Sequence, residues 1–277
     1  MRPADFSEYR LYLYDKYGVC AIDRTITVVR AMFKHAYEND LIDHPVKYGG
    51  QFNKPTAKER RQNRSQRDRI NGKRLFEPAQ IRKMLEHGST QMKAMILLGI
   101  NGGFGNTDCA ELPIAAVDLD SAVIDYERTK TAIQRIIPLW PETVTALRSV
   151  IEDERPAAQR PEYEDLVFLT KYGHPWKQEK ILEDLSEPIP KGTRQEAISP
   201  EFRKLLRGLD MLRGGVGFYA LRHTFRTWAD ETNDQHAIHR IMGHTIPGMS
   251  GIYVEEISLD RLRAVVNHVR SKLWPNQ

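Results

Sequence analysis

The chain has 277 residues, enough for one large domain or two modest ones, and its formal charge of +4 is too mildly basic to identify a partner by itself. Its two cysteines, Cys20 and Cys109, form neither a disulfide framework nor a metal-ligand spacing, which argues against a disulfide-stapled secreted class and a cysteine-based metal site. No apolar run reaches bilayer-spanning length and the first residues lack a signal-peptide core, so the expected place is the reducing cytoplasm.

In chain order, Phe6, Tyr9, Leu13 and Tyr17 recur at helical spacing, and Gly18 closes the segment. A second helix is predicted from about 22 to 39, with Ile26, Val29, Met32, Phe33, Ala36 and Tyr37 on its apolar face. Asp40 opens the turn and Pro45 stops continuation. Two helices make a poor core, so these aromatics are expected to pack on further short helices or a neighbouring domain. Residues 58–74 change character: Lys58, Arg60, Arg61, Arg64, Arg67, Arg69, Lys73 and Arg74 stand against only Glu59 and Asp68. Such a run reads as a solvated, flexible linker, or as a strap that follows phosphates and gains affinity by releasing counterions. Both hold if DNA orders the segment.

Residues 76–85 begin the next helix, with Glu77 and Pro78 suited to its N-terminus. Residues 92–100 read as a buried apolar helix that runs into a glycine-rich stretch, 101–120, with a tight turn near Gly105. Two short strands, 123–126 and 134–137, flank a turn carrying Lys130 and Thr131. Residues 141–151 form a helix followed by Glu152, Asp153 and Glu154, poorly placed for its dipole and expected to fray. A strand is predicted at 166–169, and Trp176 is assigned to local packing rather than to DNA. A helix follows at 199–210, with Pro200 at its first position, and a last amphipathic helix at 259–273. The fold class is mainly α with a small antiparallel β-sheet, α+β.

The chemistry concentrates between 216 and 254. Arg222 offers a planar fork of donors that suits phosphate. His244 can move a proton or donate to an oxygen, and the Tyr253 hydroxyl can attack phosphorus. Taken singly, each also reads as an ordinary surface, capping or packing residue.

Together they form a pattern. LRHTF at 221–225, MGH at 242–244 and Tyr253 nine positions further on resemble the end of the catalytic domain of the tyrosine recombinases, the phage-integrase family. The resemblance implies three parts: a short helical, SAM-like core-binding DNA-binding domain over 1–55, a basic interdomain linker over 56–75, and a tyrosine-recombinase-like catalytic domain over 76–277. The run AYENDLIDHPV is similar to the end of the family's core-binding domain, with His44 in an asparagine place. It implies that Arg222 is the second catalytic arginine, that His244 and Tyr253 complete the site, and that Lys130 is the lysine at a hairpin tip that reaches the scissile nucleotide. Tyr219 stands where the family most often has histidine; its phenol can donate a hydrogen bond to a nonbridging oxygen but is a poor general base at neutral pH. His223 is expected to be structural.

The resemblance also breaks at one place. Gly103 and Phe104 match, but Gly105 occupies the place of the first catalytic arginine, and Asp108 that of the acid three residues later. The implied reaction is site-specific DNA recombination by transesterification: Tyr253 joins the 3′ side of a cleaved strand, a 5′-hydroxyl reverses the step, and neither cofactor nor metal is needed. The implied partners are double-stranded DNA and, in a tetrameric synapse, further copies of the chain; a tail such as 259–273 packs on a neighbouring protomer in the family. With Gly105, three outcomes are open. Another arginine is recruited (Arg213 and Arg226 are the nearest in sequence), the enzyme runs slowly, or the chain is a DNA-binding relative that no longer cuts. A type IB topoisomerase-like relaxation activity would use the same residues.

Overall fold

The computed structural model describes residues 1–128, 132–179, 194–245 and 256–275. The chain divides into two compact units, Met1–Lys73 and Arg74–Gln277.

The first unit contains α1 (Pro3–Lys16), α2 (Val19–Glu38) and α3 (Ala57–Asn71). Its core is small: Phe6, Leu13, Ile22, Ile26 and Phe52 are buried, with Val29, Phe33, Val46 and Tyr48 packed against them. Phe6 sits at the centre, its ring 5.0 Å from Tyr48 and 5.1 Å from Phe52. The two-helix core is therefore completed by the segment after α2 folding back, not by additional helices. Aromatic side chains let so short a segment bury enough area to hold it. Most of the basic run, expected as a flexible linker or a strap along phosphates, forms the helix α3. Thr56 caps it, accepting from Glu59 N, while Glu59 reaches back to Thr56 N at 2.6 Å. This reciprocal box satisfies donors that a helix start otherwise leaves orphaned. Glu59 also accepts from the Tyr14 hydroxyl at 2.9 Å, which ties α3 to α1.

The second unit is organised around α5 (Thr90–Asn101), buried from Ala94 through Asn101. It packs between α4 (Pro78–His87), α7 (Pro141–Arg148), α9 (Tyr219–Ala229) and α11 (Leu259–Leu273). α9 approaches closely because residue 99 is glycine: a Cβ there would lie 3.0 Å from the Leu221 side chain. Beyond α5 come the one-turn helix α6 (Asn106–Ala110) and a three-stranded antiparallel sheet in the order β1 (Val117–Asp118), β2 (Val123–Arg128), β3 (Ile133–Pro138). Asn101 fastens these parts together. It donates to Pro138 O and accepts from Trp140 N and the Thr143 hydroxyl, all within 3.0 Å. A buried amide is tolerated there because its bonds are made.

Local differences from the expectations have local causes. α7 does not fray into loop; it widens into a π-helical turn, Ser149–Asp153, with Arg148 bonded to Glu152 at 2.8 Å. That cation offsets the acidic end. Residues 166–169 form isolated bridges, Pro113 with Leu166 and Leu169 with Pro175, rather than a ladder, while Val167, Phe168 and Leu169 are buried. Trp176 packs against the core with its Nε1 donating to Gln91, as expected. A second, two-stranded sheet pairs β4 (Lys177–Glu179) with β5 (Arg194–Glu196). α8 (Ile198–Gly208) starts one residue early, so Pro200 lies in the first turn but not at its first position; the first turn lacks intrahelical donors and accommodates proline. α10 (Gln235–Met242) and α11 follow the predicted periodicity.

Candidate active site

Asp108, in α6, is the hub of the site. Its Oδ2 accepts from Gly105 N at 2.7 Å, and its Oδ1 accepts from Arg128 Nε at 3.1 Å. Arg135 Nη1 and Arg222 Nη1 each lie 3.6 Å from Oδ2. Burial pushes the carboxyl up, but Arg135, the Gly105 amide, Arg222 and Arg128 together outweigh it and hold Asp108 below the ordinary carboxylate value. One carboxylate against three guanidiniums leaves the cluster with an excess of positive charge.

Arg222 occupies the buried side of α9 beside Leu221 and Phe225, which fill the core. Its Nη1 donates to Gly103 O, and its Nη2 donates to Met242 O at 3.0 Å and to His244 Nε2 at 2.5 Å. The first of these needs Gly103, whose φ of +64° turns its carbonyl inward. Burial lowers the Arg222 pKa and Asp108 opposes the change. His244 follows Gly243, the left-handed C-terminal residue of α10, with φ 61° and ψ 48°. A Cβ at 243 would meet Arg135 Cγ at 2.8 Å and Arg128 Cδ at 3.0 Å, so glycine is required by space as well as by φ. Burial, then Arg222, His239, Arg128 and Arg135, push the imidazole down to about 4. A guanidinium can only donate. His244 is therefore neutral, accepting at Nε2 and carrying its proton on Nδ1.

Arg135 is entirely enclosed. Its Nε donates to Ile241 O at 2.8 Å and its Nη2 to Gly102 O at 2.6 Å, while its guanidinium lies 4.2 Å from the Phe104 ring centre. It clamps the loop before α6 to the end of α10, which fixes Gly105 and His244 relative to each other. Burial lowers it to about 10, opposed by Asp108, so it stays charged at neutral pH.

The structure brings together Arg222, His244 and Asp108. Tyr219 borders the cluster: it is half-exposed and lies edge-on to His223. A Cβ built at Gly105 would stand 3.3 Å from the Tyr219 ring. His223 is exposed on α9. Lys130 and Tyr253 lie outside the described residues. Neither sequence-nearest arginine joins Asp108: Arg213 donates to Leu75 O, and Arg226 is bonded to Asp230 and Gln235. Arg128 and Arg135, which do join it, were missed from sequence. Strand alternation carried the signal: Ile124, Tyr126 and Arg128 share one face of β2, and Arg135 takes an inward position of β3.

The remaining cations form a separate group. Lys58, Arg60, Arg61, Arg64, Arg67 and Arg69 lie on α3, Lys73 just beyond it, and Arg74 opens the second unit. Most are exposed; Arg67 is half-buried and paired with Asp68. At 100° per residue the six on α3 spread over an arc of roughly 200°, with Glu59 on the other side.

A mainly helical unit with a three-stranded antiparallel sheet, and an arginine and histidine set around a buried acid, defines a tyrosine-recombinase-like catalytic domain. The chain belongs to the phage integrase family, which it matches over residues 74–258. No curated protein is matched at the sequence level. Among solved structures, the chain is similar to the Tn1549 transposon integrase in complex with circular intermediate DNA, with a TM-score of 0.60 and 18% identity, covering 95% of this chain and 84% of that one. It is also similar to the XerH site-specific recombinase bound to a palindromic difH substrate, with a TM-score of 0.58 and 12% identity over 96% and 70% of the two chains. A lambda integrase dimer bound to a core site gives a TM-score of 0.60 and 13% identity over 93% and 67%. At these identities the likeness is one of fold. Among the described residues no helix is long and apolar enough to cross a membrane.

Proposed function

We propose that this protein is a site-specific recombinase that cuts and rejoins double-stranded DNA through a covalent 3′-phosphotyrosyl intermediate at Tyr253. The observation that carries this reading is the pairing of buried Arg222 with half-buried His244 beside Asp108, in a cluster whose excess positive charge suits a phosphate. Fixed donors and charge of this kind stabilise the negative oxygens of a phosphoryl transition state without reorganising. Tyr253 gives up its phenolic proton to solvent and attacks phosphorus, the 3′ side of the strand transfers to its oxygen, and Lys130 protonates the departing 5′-oxygen. Arg222 gives up bonds to Met242 and His244 in exchange for the phosphate. The added negative charge raises the His244 pKa, so that the imidazole can take a proton at Nε2 and donate it to an oxygen. A second strand's 5′-hydroxyl reverses the step, conserving bond energy.

In this reading the unit Met1–Lys73 is the core-binding domain. The cations on α3, with Lys73 and Arg74, contact phosphates without reading bases. Four copies on two duplexes complete an exchange, and the protein works in the cytoplasm on DNA. Gly105 supports a second reading, a DNA-binding relative that no longer cuts. One experiment separates them: the full chain is incubated with nicked duplexes from the flanks of its own gene and run on a denaturing gel beside Tyr253→Phe. A protein–DNA adduct that needs the tyrosine is the expected result. Salt-dependent binding without adduct identifies the binder, and equal adduct from both proteins removes Tyr253 as nucleophile.

A further inference from the structure

Gly105 withholds a guanidinium from the site, yet Asp108 is surrounded by them. The three arginines differ in what their nitrogens are doing. Arg135 is 0% exposed and gives Nε and Nη2 to carbonyls in the core; no DNA backbone reaches it without the core opening. Arg222, 3% exposed, divides its terminal nitrogens among Gly103, Met242 and His244. Arg128 is the most accessible, with 13% of its side chain exposed, and among the described residues only its Nε is engaged, by Asp108. Its stem crosses the backbone of Gly243, where any Cβ would press on its Cδ. The guanidinium is thereby carried to the neighbourhood of His244 and Arg222, and both respond to its charge.

Asp108 thus acts as an aiming device. One oxygen takes Nε of Arg128, leaving the two terminal nitrogens to point elsewhere, and the other lies beside Nη1 of Arg222. Two guanidiniums held on one carboxylate are placed to donate to one phosphate adjoining it, the planar forked recognition at which arginine excels and lysine does not. We propose that Arg128, entering from the end of β2, is the second phosphate-binding guanidinium of this site and takes the role that Gly105 leaves vacant. Its ligand class is a DNA phosphodiester, for which inorganic phosphate is the minimal probe. The assignment rests on the strand-cleavage reading only for the identity of that anion.

The test titrates inorganic phosphate into the full chain and compares wild type with Arg128→Gln, Arg128→Lys and the double variant Arg128→Gln/Gly105→Arg. Phosphate-free melting of each protein checks folding. Arg128→Gln is expected to weaken phosphate binding at least about tenfold, and Arg128→Lys less, since a charge-assisted bond is lost in one and blunted in the other. The double variant is expected to recover most of the loss, because a side chain at 105 enters from across Asp108 once the Tyr219 ring gives by a few tenths of an ångström. A merely structural role for Arg128 would show no such rescue. If Arg128→Gln fails to fold, the comparison passes to Arg128→Lys, which keeps stem and charge and should still bind phosphate more weakly than wild type. Phosphate affinity unchanged in a folded Arg128→Gln, no recovery in a folded double variant, an Arg128→Lys equal to wild type, or no phosphate binding by wild type would each overturn the assignment. The adduct assay separates the two readings. Wild type forming an adduct about a hundredfold faster than Arg128→Gln supports both. Weaker phosphate binding in Arg128→Gln with no adduct from wild type supports Arg128 and removes cleavage.

Discussion

Asp108 and His244 show how one cluster lowers two pKa values, favouring the charged form of the acid and the neutral form of the imidazole. Asp108 is buried, which disfavours its charge, yet three guanidiniums and a backbone amide keep it ionised. His244 is pushed down by burial and by the same arginines. Both changes have the same consequence for stability. Between about 6.5 and about 4 the unfolded chain takes a proton at residue 244 that the folded chain refuses, so stability is full above that window and declines as pH falls through it. Asp108, lowered from 3.8, is protonated more readily in the unfolded chain, so its contribution is lost at still lower pH. Urea midpoints measured from pH 7.5 to 4 should therefore fall for wild type, and the fall should be shallower in His244→Gln. Parallel curves for the two proteins would show that His244 is not held neutral. The cost of Gly105 is also a matter for single residues: a lost transition-state donor is worth roughly 3–4 kcal/mol, a gap wide enough that a second guanidinium decides whether the site works.

Helix α3 is the element whose nature a charge count misjudges. A run of eight cations repels itself, and composition alone assigns it to flexible chain. Two residues reverse that: Thr56 and Glu59 close a capping box, and the backbone and hydroxyl of Thr56, followed by the Tyr14 hydroxyl, pull the Glu59 carboxyl down to about 2. The box is legible in the sequence as Thr-x-x-Glu. Thr56→Ala should remove about 1 kcal/mol of helix stability. Amides in the first turn of α3 should then exchange about fivefold faster, and exchange equal to wild type would mean that packing on α1 and α2, not the cap, holds the helix. The β2–β3 hairpin is the converse case. Its pairing, Ile124 with Ile137 and Tyr126 with Arg135, follows from alternation. The burial of Arg135 does not, because a charged residue in an inward register is tolerated only when Asp108, Gly102 and Ile241 from other elements receive it.

For the whole molecule, formal charge is uninformative and its distribution is not. The net +4 hides a basic helix in one unit and a local cationic site in the other. If α3 contacts DNA phosphates, replacing Arg61 or Arg64 by Gln weakens binding to all duplexes alike. Each replacement should reduce the slope of log affinity against log salt by about 1. A change confined to one base sequence, or an unaltered slope, would remove α3 from the backbone contacts. Affinity titrations at several salt concentrations, on two unrelated duplexes, make the measurement.

The sequence by itself determined the fold class and the helices with an apolar face, and it picked out Arg222, His244 and Asp108. Apolar periodicity, glycine positions such as Gly103 and Gly243, and a motif short enough to be read locally all survive without knowledge of the fold. It also exposed the gap at Gly105. What fills that gap was decided only in three dimensions. Arg213 and Arg226 are near Arg222 in sequence but are committed to Leu75, Asp230 and Gln235. Arg128 stands 20 residues after Asp108 in the chain and 3.1 Å from it in space. Side-chain charges interact through distance and dielectric rather than through sequence separation, so which arginines crowd one buried carboxylate is a property of how β2, β3, α6 and α9 pack.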